Sequence, residues 1–195
     1  MELDATYWDR RYQQNDRPWD IGCISPPLKY YFDQLENKQM KILIPGAGLA
    51  HEAVYLSDSG FTDITVCDFS REVIGYLQES LQGRDNIHLL CSDFFALNGQ
   101  YDLIIEQTFF CALDPILREP YVQKMYGLLK PGGKLTGLLF DKKFDAAGPP
   151  FGGEKTEYLN LFNRLFHIKL MDMCYCSIKP RDAYELFFIC EKRII

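Results

Sequence analysis

The chain has 195 residues, 47% hydrophobic and 25% charged, which fits one globular domain with a sizeable core. A net charge of −6, with adjacent basic residues only at Arg10-Arg11, Lys142-Lys143 and Lys192-Arg193, argues against a nucleic-acid partner. No apolar run is long enough to cross a bilayer, and Met1 leads into Glu2 and Asp4 rather than a signal segment. The cysteine count is odd, at seven, with no Cys-x-x-Cys, and Cys67, Cys91 and Cys190 fall inside apolar strands as small hydrophobes. A reducing cytoplasm, no membrane partner, no metal site and a monomer are the expectations.

In chain order, Thr6 to about Asn15 predicts a polar helix with Trp8 and Tyr12 on one face. A loop over 16–22 carries Trp19 between Pro18 and Asp20. Ser25-Pro26-Pro27 then starts a second helix through Leu35, with the serine as cap. Strands at Lys41–Ile44, Ile64–Asp68, Ile87–Cys91, Tyr101–Glu106 and Lys134–Asp141 alternate with helices near Ala50–Ser57, Arg71–Leu81 and Ile116–Leu129. Ser70 caps the second of these helices, and Lys130-Pro131-Gly132-Gly133 stops the third and turns into the fifth strand. Glu154 to about Phe166 predicts one more helix. His167–Cys176 and Tyr184–Glu191 then pair as a hairpin around Lys179-Pro180-Arg181-Asp182, so one of them runs antiparallel to the sheet. The reading is an α/β fold: a mostly parallel seven-stranded sheet with an antiparallel C-terminal strand, the arrangement of Rossmann-like class I methyltransferases. A single domain spans 1–195, with residues 1–37 as a helical lid over a core of 38–195.

The turn Pro45-Gly46-Ala47-Gly48 between strand and helix, with Asp68 ending the next strand twenty residues past Gly48, is the layout of a nucleoside site. Glycines let backbone approach a ligand, the helix N-terminus offers free N–H groups, and a strand-end acid can accept both ribose hydroxyls. A dinucleotide fingerprint has a third glycine where His51 stands, which disfavours a pyrophosphate. S-adenosylmethionine, an adenosine with a zwitterionic tail, is compatible with two glycines.

With these pieces placed, the chain resembles the thiopurine S-methyltransferase superfamily, including its plant-type halide/thiol branch. The resemblance rests on Trp8-Asp9-Arg10-Arg11-Tyr12, Pro18-Trp19-Asp20, the glycine turn, Cys91-Ser92-Asp93-Phe94-Phe95 and Ala112-Leu113-Asp114-Pro115 with Arg118 and Tyr121. Leu128-Leu129-Lys130-Pro131-Gly132-Gly133 and Gly148-Pro149-Pro150-Phe151 complete it. It implies a cofactor, S-adenosylmethionine, and a small-molecule acceptor. Gly46 and Gly48 would face the methionine portion, and Asp68, with Phe69 beside it, would hold the ribose. Asp93 and Phe94 would frame the adenine. Trp8, Tyr12 and Trp19 would close over the cofactor, Trp19, Glu106 and Gln107 would stand at the reacting centre, and Glu106 would also contact the cofactor.

Plainer readings stand beside these. Trp8 and Tyr12 fit a core stripe, Asp93 a turn cap, Glu106 a structural ion pair, and Arg118 a surface or ion-pair residue. His51, His88 and His167 read as solvated or core histidines, with His51 close enough to the glycine turn to touch a cofactor. Where thiopurine enzymes commonly carry Asp-Arg, this chain has Glu106-Gln107. Together with Phe109-Phe110-Cys111-Ala112-Leu113, that favours hydrosulfide, a small thiol or a halide over a thiopurine. The expected reaction is in-line methyl transfer to such a soft nucleophile. A non-catalytic scaffold or sensor binding the same cofactor, and a dinucleotide oxidoreductase, are the alternatives.

Overall fold

In the computed structural model residues 3–145 and 147–193 are described; Met1 and Glu2 of the N-terminal reading lie outside them. The chain divides into two compact units, Met1–Leu97 and Asn98–Ile195. Seven strands make the expected mostly parallel sheet; counted along the chain, they run third, second, first in the first unit and fourth, fifth, seventh, sixth in the second.

The first unit contains α1 (Ala5–Gln13), α2 (Pro26–Phe32), β1 (Lys41–Pro45), α3 (His51–Asp58), β2 (Asp63–Asp68), α4 (Arg71–Ser80) and β3 (Ile87–Cys91). β2 pairs parallel with both β1 and β3. Strands in the middle of such a layer are covered on both faces, which is why Ile42, Leu43, Ile44, Ile64 and Val66 form a continuous buried run instead of alternating. Ser70 caps α4 by accepting from the Val73 N–H, and Val73, Ile74 and Leu77 turn one apolar stripe inward. Burying each such side chain stabilises by up to about 1.5–3 kcal/mol. α1 buries no residue fully, and its Asp9 accepts from the Ser70 hydroxyl.

Three expectations for this unit are corrected. α2 stops at Phe32, not Leu35, because the Gln34 amide donates back to the Tyr30 carbonyl and closes the last turn. Ser25 occupies the cap position without a side-chain capping bond; its backbone N–H donates instead to Glu52. Cys91 is exposed rather than core, since β3 shows its outer residues to solvent.

The second unit contains β4 (Tyr101–Gln107), α5 (Arg118–Leu128), β5 (Leu129–Phe140), α6 (Lys155–Phe162), β6 (Phe166–Met173) and β7 (Glu185–Lys192). β5 is parallel to β4 and antiparallel to β7, and β6 and β7 form the hairpin, so β7 is the reversed strand. Lys130-Pro131-Gly132-Gly133 belongs to β5 instead of preceding it: Leu129 already pairs with Tyr101, and a register shift before Leu103 absorbs the irregular stretch. The last helix ends at Phe162, not Phe166. Arg193 caps it through the Asn163 carbonyl, and Phe166 opens β6 opposite Lys192. Cys174 and Cys176 lie beyond the end of β6, Sγ to Sγ 4.0 Å, and no cluster of three or more metal-ligating side chains occurs among the described residues. None of the described helices is long and apolar enough to cross a membrane.

Candidate cofactor site

The turn after β1 places Gly46, Gly48 and Ala50 at φ +58°, +52° and +56°, a left-handed path that brings backbone N–H groups toward the end of β2. Gly46 N–H donates to the Cys67 carbonyl at 2.8 Å. Asp68, 9% exposed, accepts from Gly48 N–H at 3.3 Å on one oxygen and from Ser70 N–H at 3.0 Å on the other. Burial pushes its carboxyl up to about 6 against those amides and that of Phe69, and the nearby Asp9 charge adds to the rise. Phe69 follows, half-buried.

The N-terminal segment covers this turn. Trp19 meets Trp8 edge-to-face at 5.4 Å and Tyr12 at 5.9 Å, with the Arg11 guanidinium 4.6 Å above it. Burial holds the Tyr12 phenol above its usual range. The Tyr12 hydroxyl stands over Gly48, so that a Cβ on residue 48 would lie 2.8 Å from it. Gly48→Ala should therefore lose about 1–2 kcal/mol from the left-handed backbone alone and displace Tyr12 as well. A urea titration checks the first effect and S-adenosylhomocysteine affinity the second; an unchanged midpoint contradicts it.

Asp9 fixes α1 to the N-terminus of α4, accepting from the Ser70 hydroxyl at 2.6 Å and from Glu72 N–H at 3.4 Å, while Gln13 donates to Glu72. Asp20 accepts from Gly22 N–H at 2.8 Å and lies 2.9 Å from His51 Nε2. Sequence reasoning missed both attachments. Only the histidine that breaks the glycine fingerprint hinted at the second.

β2 and β3 are in register at Asp68 and Cys91, and Ser92 N–H donates to the Asp68 carbonyl. Asp93 is exposed and caps the turn Phe94–Ala96, accepting from Phe95 N–H at 2.9 Å; Phe94 is buried, 5.2 Å from the Phe95 ring. The capping role is real, and the outer side of the carboxylate remains open to solvent.

Glu106 and Gln107 belong to the second unit. Glu106 is fully buried. One oxygen accepts from Phe109 and Phe110 N–H at 2.8 and 2.9 Å, the other from the Tyr121 hydroxyl at 2.5 Å. Burial raises its carboxyl to about 7, with Tyr121 and the two amides pulling it down. Among the described residues it makes no ion pair; it braces the segment after β4. Gly137, its register partner on β5, has no room for a Cβ, which would lie 2.0 Å from the Glu106 carbonyl oxygen. Gln107 Oε1 is buried with no hydrogen-bond partner among the described residues. Arg118 is buried, not superficial: it pairs with Glu157 and donates to the Gly152 carbonyl at 2.6 Å. Phe151 N–H donates to the Cys111 carbonyl, which anchors the Gly148–Phe151 segment. His88 and His167 are exposed, as is Cys23.

A buried strand-end carboxylate met chiefly by backbone amides, beside a left-handed glycine turn overlain by Tyr12 of an aromatic cluster, fits a ribose diol attached to a cationic tail. In fold, the chain matches a Burkholderia thailandensis 1,6-didemethyltoxoflavin-N1-methyltransferase crystallised with bound 1,6-didemethyltoxoflavin and S-adenosylhomocysteine, with a TM-score of 0.78 at 16% identity over 98% of this chain and 88% of that one. In sequence, it is 29% identical over 156 residues to probable thiol methyltransferase 2 of Arabidopsis thaliana, covering 77% of this chain and 69% of the relative. It is 25% identical to thiopurine S-methyltransferase of Photobacterium profundum, covering 94% and 89%. The chain spans about two thirds of the length of the plant relatives it matches. The family profile for thiopurine S-methyltransferase matches residues 3–182, and the chain belongs to that family of S-adenosylmethionine-dependent methyltransferases.

Proposed function

We propose that the protein transfers a methyl group from S-adenosylmethionine to a small soft nucleophile, a thiolate, hydrosulfide or halide, with Trp8, Tyr12, Trp19, Gly46, Gly48, Asp68, Phe69, Asp93 and Phe94 forming the cofactor site. The observation that carries this reading is the aromatic cluster of Trp8, Tyr12 and Trp19, whose Tyr12 hydroxyl stands over a glycine turn with a buried partner acid, Asp68. When bound, the cofactor supplies a methyl already activated on a sulfonium. Asp68 would accept from the ribose hydroxyls, Gly46 and Gly48 would leave room for the methionine portion, and Asp93 and Phe94 would frame the adenine. The rings would face the positive charge, each contributing about 0.5–2 kcal/mol, and exclude water. Alignment of acceptor and methyl is the larger effect, up to roughly 7–11 kcal/mol.

Glu106 bears on the acceptor. Both its oxygens are engaged by the chain's own donors, which supports an acceptor that arrives as an anion and needs no base. The Arabidopsis relatives are named for thiol and thiocyanate, which supports the same class. Gln107 Oε1, buried with no hydrogen-bond partner among the described residues, supports Gln107 as a residue of the reacting centre. Family membership sets aside the dinucleotide alternative. The reading has one domain, residues 1–37 as its lid, acting as a monomer in a reducing cytoplasm without nucleic-acid partners; seven free thiols and the net charge of −6 support it.

The test is S-adenosylhomocysteine release from S-adenosylmethionine with a panel of hydrosulfide, small thiols, iodide and thiopurines. Release with the small anions supports the proposal; release with thiopurines alone overturns the acceptor class. Binding without release under any acceptor favours the sensor.

Acidity gives a second check. A proton on Asp68 competes with the ribose hydroxyls, so S-adenosylhomocysteine affinity should hold above pH 7 and fall below about 6, by up to about tenfold per pH unit. The free protein responds in the opposite sense. Because folding raises this carboxyl above its unfolded value, the Asp68 contribution to stability grows as pH falls from about 6 toward 4. Calorimetric affinity that stays flat from pH 7.5 to 5 contradicts the ribose role.

A further inference from the structure

His51 stands where the dinucleotide fingerprint has its third glycine, as the first residue of α3. Its Nε2 lies 2.9 Å from Asp20 Oδ1. A carboxylate only accepts, so the imidazole Nε2 carries the proton and donates. The same Asp20 oxygen accepts from Gly22 N–H and thereby shapes the loop locally, while His51 ties that shaped loop to the helix that follows the glycine turn. Asp20 is the neighbour of Trp19, Trp19 packs edge-to-face on Tyr12 at 5.9 Å, and the Tyr12 hydroxyl covers Gly48. One chain of contacts thus runs from His51 through the loop and back to the turn from which α3 emerges.

We propose that His51 is a positioning residue that pins the Trp19 loop over the glycine turn before any ligand arrives. The side chain that removes the third glycine supplies the latch. Without it, the loop keeps its Asp20–Gly22 turn but loses its attachment, and the incoming cofactor must order the aromatic cover itself, which weakens binding. The effect on affinity rests on the proposed cofactor site; the latch in the free protein does not.

The two tryptophans of the chain, Trp8 and Trp19, both lie in the cover, so acrylamide quenching of the whole protein's emission reports on it directly. His51→Ala should increase quenching in the ligand-free protein and raise the Kd for S-adenosylhomocysteine by about 3- to 10-fold, the loss of one hydrogen bond of this kind. With ligand saturating, quenching should return to the wild-type value. His51→Gln, which sets an amide N–H near the position of Nε2, should remain within about twofold of wild type, since the bond is kept. Asp20→Asn keeps an oxygen for Gly22 but weakens the charge-assisted bond, and should move both readouts in the direction of His51→Ala even if that variant folds poorly. Ligand-free quenching in His51→Ala and Asp20→Asn equal to wild type overturns the proposal, as does a His51→Gln protein as impaired as His51→Ala. Absence of calorimetric binding by wild type would refute the cofactor reading instead, and the ligand-free quenching comparison would still decide the latch.

Discussion

Asp68→Ala should reduce S-adenosylhomocysteine affinity by about 10²- to 10⁴-fold, because hydrogen bonds to a charged group contribute about 1.5–3 kcal/mol each and the ribose offers two donors. The carboxylate is already desolvated in the free protein, buried at the tip of β2 and raised to about 6. Little solvation is left to lose when hydroxyls approach it, so the new bonds keep most of their strength. Removal of the side chain also leaves Gly48 and Ser70 N–H without their acceptor, which loosens the turn that the cofactor must meet. Asp68→Asn retains one accepting oxygen and the shape of the site, and a smaller loss, on the order of tenfold, is expected from it. Isothermal calorimetry separates these outcomes, with a urea titration to show that both variants are folded. A folded Asp68→Ala protein within threefold of wild type places the ribose elsewhere.

The parts of the site that were legible in the sequence are those dictated by the local backbone. Gly46 and Gly48 announce positive φ, Ser70 announces a helix start, and Asp68 follows from the strand that must lie beside β1. The attachments were not legible, because they join residues far apart in sequence. Asp9 reaches Ser70 across 61 residues and Asp20 reaches His51 across 31, and nothing in either segment's periodicity names its partner. Phe162 and Phe166 show a different limit. Four residues apart and both fully buried, they satisfy a helical stripe, yet Phe166 opens a strand because it pairs with β7. Periodicity records burial, and burial alone does not distinguish a helix from a strand entering the same core. Glu106 shows the reverse case. A carboxylate ending an apolar strand suggested a charge in need of a partner, and the partners are a tyrosine and two backbone amides of the next turn.

That arrangement makes Glu106→Ala the most destabilising substitution expected in the second unit. Three donors lose their acceptor in a fully buried place, at about 1–3 kcal/mol each, and relaxation of the turn reduces the sum to about 3–5 kcal/mol. Glu106→Gln keeps one oxygen but turns an amide toward groups that also donate, so it should lose stability too, by a smaller amount. The pH dependence has a fixed sign. Folding raises this carboxyl to about 7, above its unfolded value, so its contribution to stability increases as pH falls from about 7 toward 4.5, and Glu106→Gln should remove that component. Tyr121→Phe takes away one donor that favours the charged form, and should move the titration of Glu106 further up. Urea midpoints between pH 5 and 8 read all three effects. A brace predicts that activity lost in Glu106→Gln follows the unfolded fraction and returns under stabilising conditions. A Glu106→Gln protein as stable as wild type but without turnover would instead put this carboxylate in contact with the acceptor, and the argument for an acceptor that needs no base would fall with it.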